Sequence, residues 1–450
     1  MLHRRLWRWW LRLECLRPGH LFLVIFLLAV VLRIGMSLAS QTYRDLTRYE
    51  MERIALSFAR RGVLADPYNI PTGPTAHVPP AYPILMGLIF RYFGEGWGGE
   101  LVKEFLSVAC AGALYALLPF AGAAFGVGRR AGLAAGLAGA LLPLKYSVEV
   151  VGDWEATASA LLLMLAIWLV VTTWRHHLFS FRRGALEGLV WGIGMLVAST
   201  FLPVFGGLLA LGLAVSILTP HACPLPPGAW RRYAFANVAA VALCLAPWAW
   251  RNQRVLGAPI FTRSNAGLEL HLSNNDLAGP LEPVNYKRGV YFAFHPLQNR
   301  AEAEAVKAMG EVAYNRDRRN RALAWIRTHP SRFLTLTARR FWYTWFPDTA
   351  ARRRDAVLWL ITLGWLAGLF ALWRHDRIGA VVFIAVPAFY TPLFYLIHVN
   401  VRHRYPVDWI LLLSFSYFAV TVLERVAVRR APRSAHVSWK TSKEIPHAAH

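Results

Sequence analysis

Hydrophobic residues in this chain come in long runs rather than at alternating positions. The runs are 21–39, 81–94, 104–126, 131–147, 156–174, 186–200, 202–218, 233–250, 356–373, 378–397 and 405–423. A helix needs about 20 mostly apolar residues, and at least about 17, to cross the hydrocarbon core of a bilayer. Two runs fall short: 81–94, and 186–200, which continues through Pro203 into its neighbour. The pattern predicts an all-α polytopic membrane protein with about ten transmembrane helices.

Charge then orients the runs. Cytoplasmic loops of membrane proteins are rich in Lys and Arg. Arg4, Arg5, Arg8, Arg12 and Arg17 precede the first run, Arg129 and Arg130 follow the third, and "WRHHLFSFRR" (174–183), Arg231-Arg232, "RHDR" (374–377) and the basic tail mark further inside segments. These assignments agree only if runs 81–94 and 104–126 together cross once, so 81–94 is expected to be re-entrant or interfacial. Both termini then lie in the cytoplasm. Residues 41–80, the short 147–155 loop, the long 251–350 loop and the 398–404 turn share the outer face. The expected organisation is an N-terminal transmembrane catalytic module (1–250), an extracytoplasmic helical loop (251–355), C-terminal transmembrane helices (356–423) and a basic cytoplasmic tail (424–450).

Composition supports this reading. The chain has 450 residues, 56 % of them hydrophobic, against about 45–50 % in soluble domains. The net charge of +24 suggests nucleic acid at first, but the basic residues sit at the ends of apolar runs and no recognition motif accompanies them. Cys15, Cys110, Cys223 and Cys244 form no C-x-x-C pair, so neither a disulfide framework nor a zinc site is expected. The basic N-terminus and first run resemble a signal peptide, with "SLAS" as a cleavage site, but apolar character continues to Ala39, which favours an uncleaved first helix.

The outer segments carry the chemistry. In "YEMERIALSFARRG" (49–62), Met51, Ile54, Ala55 and Phe58 recur at helical spacing, while Glu50, Arg53 and Ser57 share another face. An amphipathic juxtamembrane helix on the outer surface is expected. The ordinary alternative is a solvated face on which Glu50 pairs with Arg53. "PTGPTAHVPPAYP" (71–83) is stiffened by its prolines, and His77 is its only titratable group. Glu149, Asp153 and Glu155 crowd the mouth of the 156–174 run. Asp153 and Glu155 form a D-x-E pair of the kind that binds a divalent cation, or that simply complements a helix N-terminus. "RSNAGLELHLSNND" (263–276) supplies Arg263, Asn265, Glu269, Asn274 and Asn275 as a polar surface suited to sugar or phosphate, or as ordinary turn chemistry. Arg402 and Arg404 in "NVRHRYPVDW" break the positive-inside rule. Basic groups near the bilayer suggest an anionic ligand such as phosphate, and a locally inverted topology is the alternative. The 299–341 stretch reads as helical with a break at Pro330, and 258–296 as irregular.

Taken in order, "YEMERIA", "GPTAHVPPAYPILMGLIFRYFG", "DWEATASALLL", "APWAWRNQRVLG", "RSNAGLELHLSNND" and "VRHRYPVD" resemble the GT-C superfamily of membrane glycosyltransferases. The resemblance runs from about residue 20 to 423. It is nearest to bacterial family-39-like proteins, related to protein O-mannosyltransferases and lipid A aminoarabinose transferases. It implies a polyprenyl-phosphate sugar donor, a lipid, glycan or protein acceptor, and transfer at the outer face of a bacterial inner membrane. It gives the role of base to an acidic residue of the first outer loop. Glu50 in "YEM" holds that place, with Asp45 in "DLTRY" as the rival. "HVPP" departs from the aminoarabinose branch, which has a lysine before its Pro-Pro. Asp153 and Glu155 would position the acceptor or hold a cation. A transporter or lipid flippase of similar span count is the competing class.

Overall fold

The structure is a computed structural model that describes residues 13–142, 146–218, 228–348 and 352–430. Arg4, Arg5, Arg8, Arg12, Cys223 and the tail from residue 431 lie outside the described residues. The elements are helical. In the first half they are α1 (Pro18–Ser40), α2 (Glu50–Arg61), α3 (Ala81–Phe93), α4 (Trp97–Ala124), α5 (Gly128–Leu141), α6 (Tyr146–Glu149), α7 (Ala156–Arg175), α8 (Phe181–Val197), α9 (Phe201–Leu218) and α10 (Ala229–Leu256). The long loop carries α11 (Ala266–Ser273), α12 (Glu282–Lys287), α13 (Val290–Phe294), α14 (Arg300–Met309), α15 (Glu311–Thr328) and α16 (Pro330–Trp345). The chain closes with α17 (Arg352–His375), α18 (Arg377–Tyr390), α19 (Leu393–Leu396) and α20 (Val401–Arg430).

Eight helical segments among the described residues are long and apolar enough to cross a membrane: α1, α4, α7, α9, α10, α17, α18 continued through α19, and α20. The protein is therefore a multi-pass, all-α membrane protein. The short run 81–94 becomes α3. Its 13 residues rise only about 20 Å, well short of the roughly 30 Å hydrocarbon core.

The bundle packs closely because small residues line its helix contacts. A Cβ on Gly132 of α5 would stand 2.3 Å from the Leu118 carbonyl oxygen of α4, and one on Gly136 would stand 2.7 Å from that of Tyr115. One buried ion pair crosses this packing. Arg33 of α1 donates to Glu149 from Nε (3.1 Å) and Nη2 (2.9 Å), and to the Ala140 and Gly139 carbonyls at 2.9 and 2.8 Å. Tyr115 and Tyr405 also donate to Glu149. Three helices and the chain before α7 are thus tied to one carboxylate.

The expected amphipathic α2 forms, but its stripe faces protein rather than lipid. Met51, Ile54 and Ala55 are buried with Tyr82, Met86 and Phe90 of α3. A second carboxylate anchors the proline-rich stretch. Glu311, at the start of α15, accepts from the Ala76 amide (2.8 Å), the Ser264 hydroxyl (2.6 Å) and the Thr75 hydroxyl. The 258–296 stretch, expected to be irregular, contains three short helices instead. The first, α11, is held against α15 where the Leu268 amide donates to Asn315 at 3.2 Å.

Arg33→Leu leaves Glu149 charged and buried and is expected to cost about 3–5 kcal/mol of stability. The double variant Arg33→Leu/Glu149→Leu should recover much of that loss. Thermal unfolding in detergent checks both, and a single variant as stable as the parent contradicts the assignment.

Candidate active site

The four segments expected on the outer face converge on one cavity of about 300 Å³. Its lining includes Tyr49, just before α2, and Glu50, its first residue, His77, Asp153 and Trp154 before α7, Glu269 from α11, Glu282 from α12, Tyr291 and His295, and His398, Asn400 and Arg402 around the start of α20.

Glu50 opens α2 and is 5 % exposed. Its Oε1 lies 3.1 Å from His295 Nε2. The tautomer of His295 follows from its other nitrogen: Nδ1 accepts the Leu297 amide at 3.1 Å, so the ring proton sits on Nε2 and is donated to Glu50. Burial pushes His295 down to about 4, which keeps the ring neutral near pH 7. Burial also raises Glu50 to about 7, and nearby Glu269 adds to the shift. Glu282 behaves oppositely. Burial acts to raise it, but Arg402, His398 and the hydrogen bond from Asn400 outweigh that and hold it below the usual carboxylate range. Two carboxylates in one cavity are thus driven apart, one fixed as an anion and the other set to exchange a proton near neutrality.

Arg402 lies over the Trp154 ring, 4.0 Å from its centroid. Its guanidinium makes no hydrogen bond to a described residue, although Glu282 and Glu155 act on it electrostatically. Asn400 fixes the start of α20: its Oδ1 accepts the Arg402 amide at 2.9 Å, as an N-cap residue does. The 280–282 and 399 backbones pair through Glu282 N to Val399 O (3.0 Å) and Val399 N to Pro280 O (2.9 Å). This strap separates the cavity from a second one of about 600 Å³. The second cavity is lined by apolar Leu281, Val284, Leu358 and Val399 together with Lys287 and Arg404.

The D-x-E pair divides. Gly152 has φ of 67°, a conformation that favours glycine, and Tyr82 donates to its carbonyl at 2.8 Å. The turn directs Asp153 to Lys103 Nζ at 2.7 Å. Glu155 lies behind the cavity wall. Its Oε2 is buried without a hydrogen-bond partner, and burial raises its pKa against the pull of Arg263 and Arg402.

The remaining candidates sort into lining and scaffold. His77 lines the cavity, accepts or donates at 3.2 Å with Tyr68, and is pushed well down by burial. Asn265 donates to Glu269 at 3.1 Å. Asp45 is exposed and outside the cavity, where its carboxylate accepts the Thr47 amide at 2.9 Å. Arg53 donates to the Arg48 carbonyl at 3.2 Å rather than to Glu50. Arg263 is half-buried beside Glu155 and does not line the cavity. Asn274 and Asn275 cap carbonyls at the end of α11. Arg404 pairs with Asp408 at 2.7 Å and donates to the Thr344 and Trp345 carbonyls. It therefore stands on the far side of the strap from Arg402.

Sequence reasoning missed Glu282, His295, His398 and Lys103. Only Lys103 carried a local signal: "GELVKEF" places three charges at the mouth of an apolar run, and ionisable groups there call for partners.

No family model and no curated protein matches the chain. Its fold is similar to that of an oligosaccharyltransferase from Archaeoglobus fulgidus. A structure of that protein with zinc and sulfate gives a TM-score of 0.53 at 12 % identity, covering 91 % of this chain and 50 % of the other. A complex of archaeal oligosaccharyltransferase AglB from the same organism with an inhibitory peptide and a dolichol-phosphate gives 0.53 at 13 %, over 92 % and 52 %. The chain spans about half the length of these proteins. The likeness is one of fold.

The Glu50 carboxyl is expected to titrate across about pH 6–8, centred on its raised value of about 7. Difference infrared spectroscopy against Glu50→Gln measures this. His295→Ala removes a donor to the charged form and should move the transition to higher pH. A transition near pH 4.5 in the parent would contradict the burial argument.

Proposed function

We propose that this chain is an integral membrane glycosyltransferase of the family-39-like kind. In this reading it moves a sugar from a polyprenyl-phosphate donor to a lipid, glycan or protein acceptor at the outer face of a bacterial inner membrane, with both termini cytoplasmic. The observation that carries the reading is the pairing, in one cavity, of a carboxylate set near pH 7 (Glu50) with a guanidinium that has no hydrogen-bond partner among the described residues (Arg402). The archaeal oligosaccharyltransferase of similar fold was solved with a dolichol-phosphate and, in another structure, tethered to an acceptor peptide. A lipid phosphate and a polar acceptor fit the two cavities described here.

Glycosyl phosphates already carry a good leaving group. Glu50 accepts the proton of the acceptor hydroxyl or amine as its heteroatom bonds to the anomeric carbon. The bond from that carbon to the phosphate oxygen breaks, and its electron pair stays on the phosphate. Arg402 meets the charge on the leaving phosphate with N–H donors already in place. Trp154 beneath it and Glu282 beside it hold the guanidinium where it is. His295 orients Glu50, and Asp153 with Glu269 and His77 contact the acceptor or sugar hydroxyls. The larger cavity beyond the strap, with its apolar walls and basic Lys287 and Arg404, receives the isoprenoid end of the donor.

Membranes supplied with a labelled polyprenyl-phosphate sugar test this. Glu50→Gln should lower kcat by about 10²–10⁴-fold. Arg402→Ala should raise the KM for donor while the protein stays folded. For the parent, kcat/KM should fall about tenfold per pH unit below about pH 7 and level off above it, because only the ionised base is competent. Transfer by Glu50→Gln equal to that of the parent overturns the assignment.

A further inference from the structure

Among the described residues no three His, Cys, Asp or Glu side chains are arranged to hold a metal ion, and several polar groups at the cavity wall are linked to one another instead. One chain of hydrogen bonds ends at the cavity. It starts at Ser273, the fully buried last residue of α11. Ser273 Oγ accepts the amide of His398, in the turn between α19 and α20, at 2.9 Å and lies 3.0 Å from Nδ1 of the same residue. His398 Nε2 lies 3.0 Å from the Tyr291 hydroxyl. Tyr291 and His398 both line the cavity. Arg340 of α16 fixes the backbone on both sides of the pair. It donates to the Ser273 carbonyl, and its Nη1 donates to the Leu396 carbonyl at 2.9 Å.

The direction of these bonds follows from the serine. Its hydroxyl has one proton to give, and among the described residues the acceptor it meets is His398 Nδ1. With Nδ1 protonated instead, that buried serine proton would have no acceptor, and an unmade buried hydrogen bond is costly. Nδ1 therefore accepts, the ring proton sits on Nε2, and the Tyr291 oxygen receives it. A protonated ring would present the same Nε2–H, although burial holds His398 below its ordinary value. The Tyr291 proton is then left to point elsewhere, and it meets no other described residue. Burial and the nearby Glu282 raise Tyr291, so the phenol keeps that proton.

We propose that Ser273 and His398 lock the Tyr291 hydroxyl as a hydrogen-bond donor into the cavity, where it meets an oxygen of the sugar. Ser273 and His398 are positioning residues, and Tyr291 is the residue that selects. Placement favours the sugar over the rest of the donor. The Tyr291 ring stacks on His295, the partner of Glu50, with centroids 5.4 Å apart, while Glu282 and Arg402 act on its phenol electrostatically. The group that spans from a phosphate at Arg402 to the base at Glu50 is the sugar itself. A hydroxyl whose proton points at the ligand pairs with an oxygen lone pair and not with an ammonium, which has only N–H groups to offer. The sugar position facing Tyr291 therefore carries an oxygen. The bond direction stands apart from the transferase reading, and only the sugar contact rests on it.

Two measurements on the full-length chain test this. In the first, the histidine rings are labelled with nitrogen-15, and the His398 signals are assigned by their loss in His398→Phe, or in His398→Gln if the first variant does not fold. The parent should carry a proton on Nε2 and none on Nδ1. In the second, calorimetry in detergent compares decaprenyl phosphate with decaprenyl phosphates of mannose, glucose, galactose and arabinose. The parent should bind at least one sugar-bearing lipid more tightly than decaprenyl phosphate. Tyr291→Phe should weaken that sugar-bearing lipid about three- to tenfold and leave decaprenyl phosphate unchanged, a difference that general damage to the cavity would not produce. His398→Phe should do the same, and His398→Gln, whose amide can donate to Tyr291, should lose less. The double variant His398→Phe/Tyr291→Phe should bind no worse than Tyr291→Phe alone. A His398 proton on Nδ1 alone overturns the proposal, as does a parent with no preference for any sugar-bearing lipid or a Tyr291→Phe that weakens both lipids equally or neither. A parent with the Nε2 proton that binds none of these lipids leaves the lock standing and counts against the transferase reading.

Discussion

A buried ammonium ties together the segments that build the cavity wall. Lys103 sits inside the protein with three carboxylates on it, one from α2, one from its own helix and one from the turn that opens α7. Taking such charges out of water is expensive, and the arrangement is tolerable because Lys103 donates to Glu52 and Asp153, lies 2.7 Å from Glu100, and shares Glu52 and Glu100 with the second positive charge of Arg48. Geometry follows from this constraint. Glu52 reaches Lys103 because the start of α2 lies beside α4, and in that placement Glu50, two residues earlier, lines the cavity. Asp153 cannot reach it unless the chain turns at Gly152, and that turn sets Trp154 beneath Arg402.

The same logic separates scaffold from chemistry. Glu149 is committed to Arg33 and two tyrosines, Glu311 to the proline-rich stretch, and Glu52 and Glu100 to Lys103 and Arg48. Each joins parts of the chain far apart in sequence. The groups that face the cavity are held more lightly: Glu50 by the neutral His295, Glu269 by Asn265, and Arg402 against the Trp154 ring, with Glu282 held as an anion beside them. Burial then does different things to similar residues. Glu50 has only a neutral histidine donor and rises to about 7, whereas Glu282 has Arg402 and Asn400 and falls. One carboxylate becomes able to exchange a proton near neutrality because the other does not.

Much of the fold was legible in the sequence because a bilayer imposes a length on its helices. Runs such as 21–39 and 156–174 became α1 and α7 within a few residues, the 81–94 run was recognisably too short, and Pro330 marks the start of α16. Arginine placement put four segments on one face, and Glu50, Asp153, Glu269, His77 and Arg402 from those segments do line one cavity. Long-range partners were not legible. Nothing local to "DWE" says that Asp153 turns to a lysine fifty residues earlier while Glu155 turns away. Nothing in "GPLEPVNY" marks Glu282 as the neighbour of Arg402. Asn274 and Asn275 look like ligands for sugar in sequence but satisfy the carbonyls that α11 leaves open, and Arg404, two residues from Arg402, falls across the strap between two cavities.

The central claim is that a phosphate-linked donor is held by Arg402 with its anomeric carbon facing Glu50. A cryo-electron microscopy structure of the full chain in lipid, with a non-hydrolysable polyprenyl-phosphonate sugar bound, tests it most directly. The account predicts phosphonate oxygens within about 3 Å of the Arg402 guanidinium, the sugar in the 300 Å³ cavity beside the Glu50–His295 pair, and the isoprenoid beyond the strap formed by residues 280–282 and 399. A phosphonate bound away from Arg402, with Glu50 remote from the anomeric carbon, would contradict it.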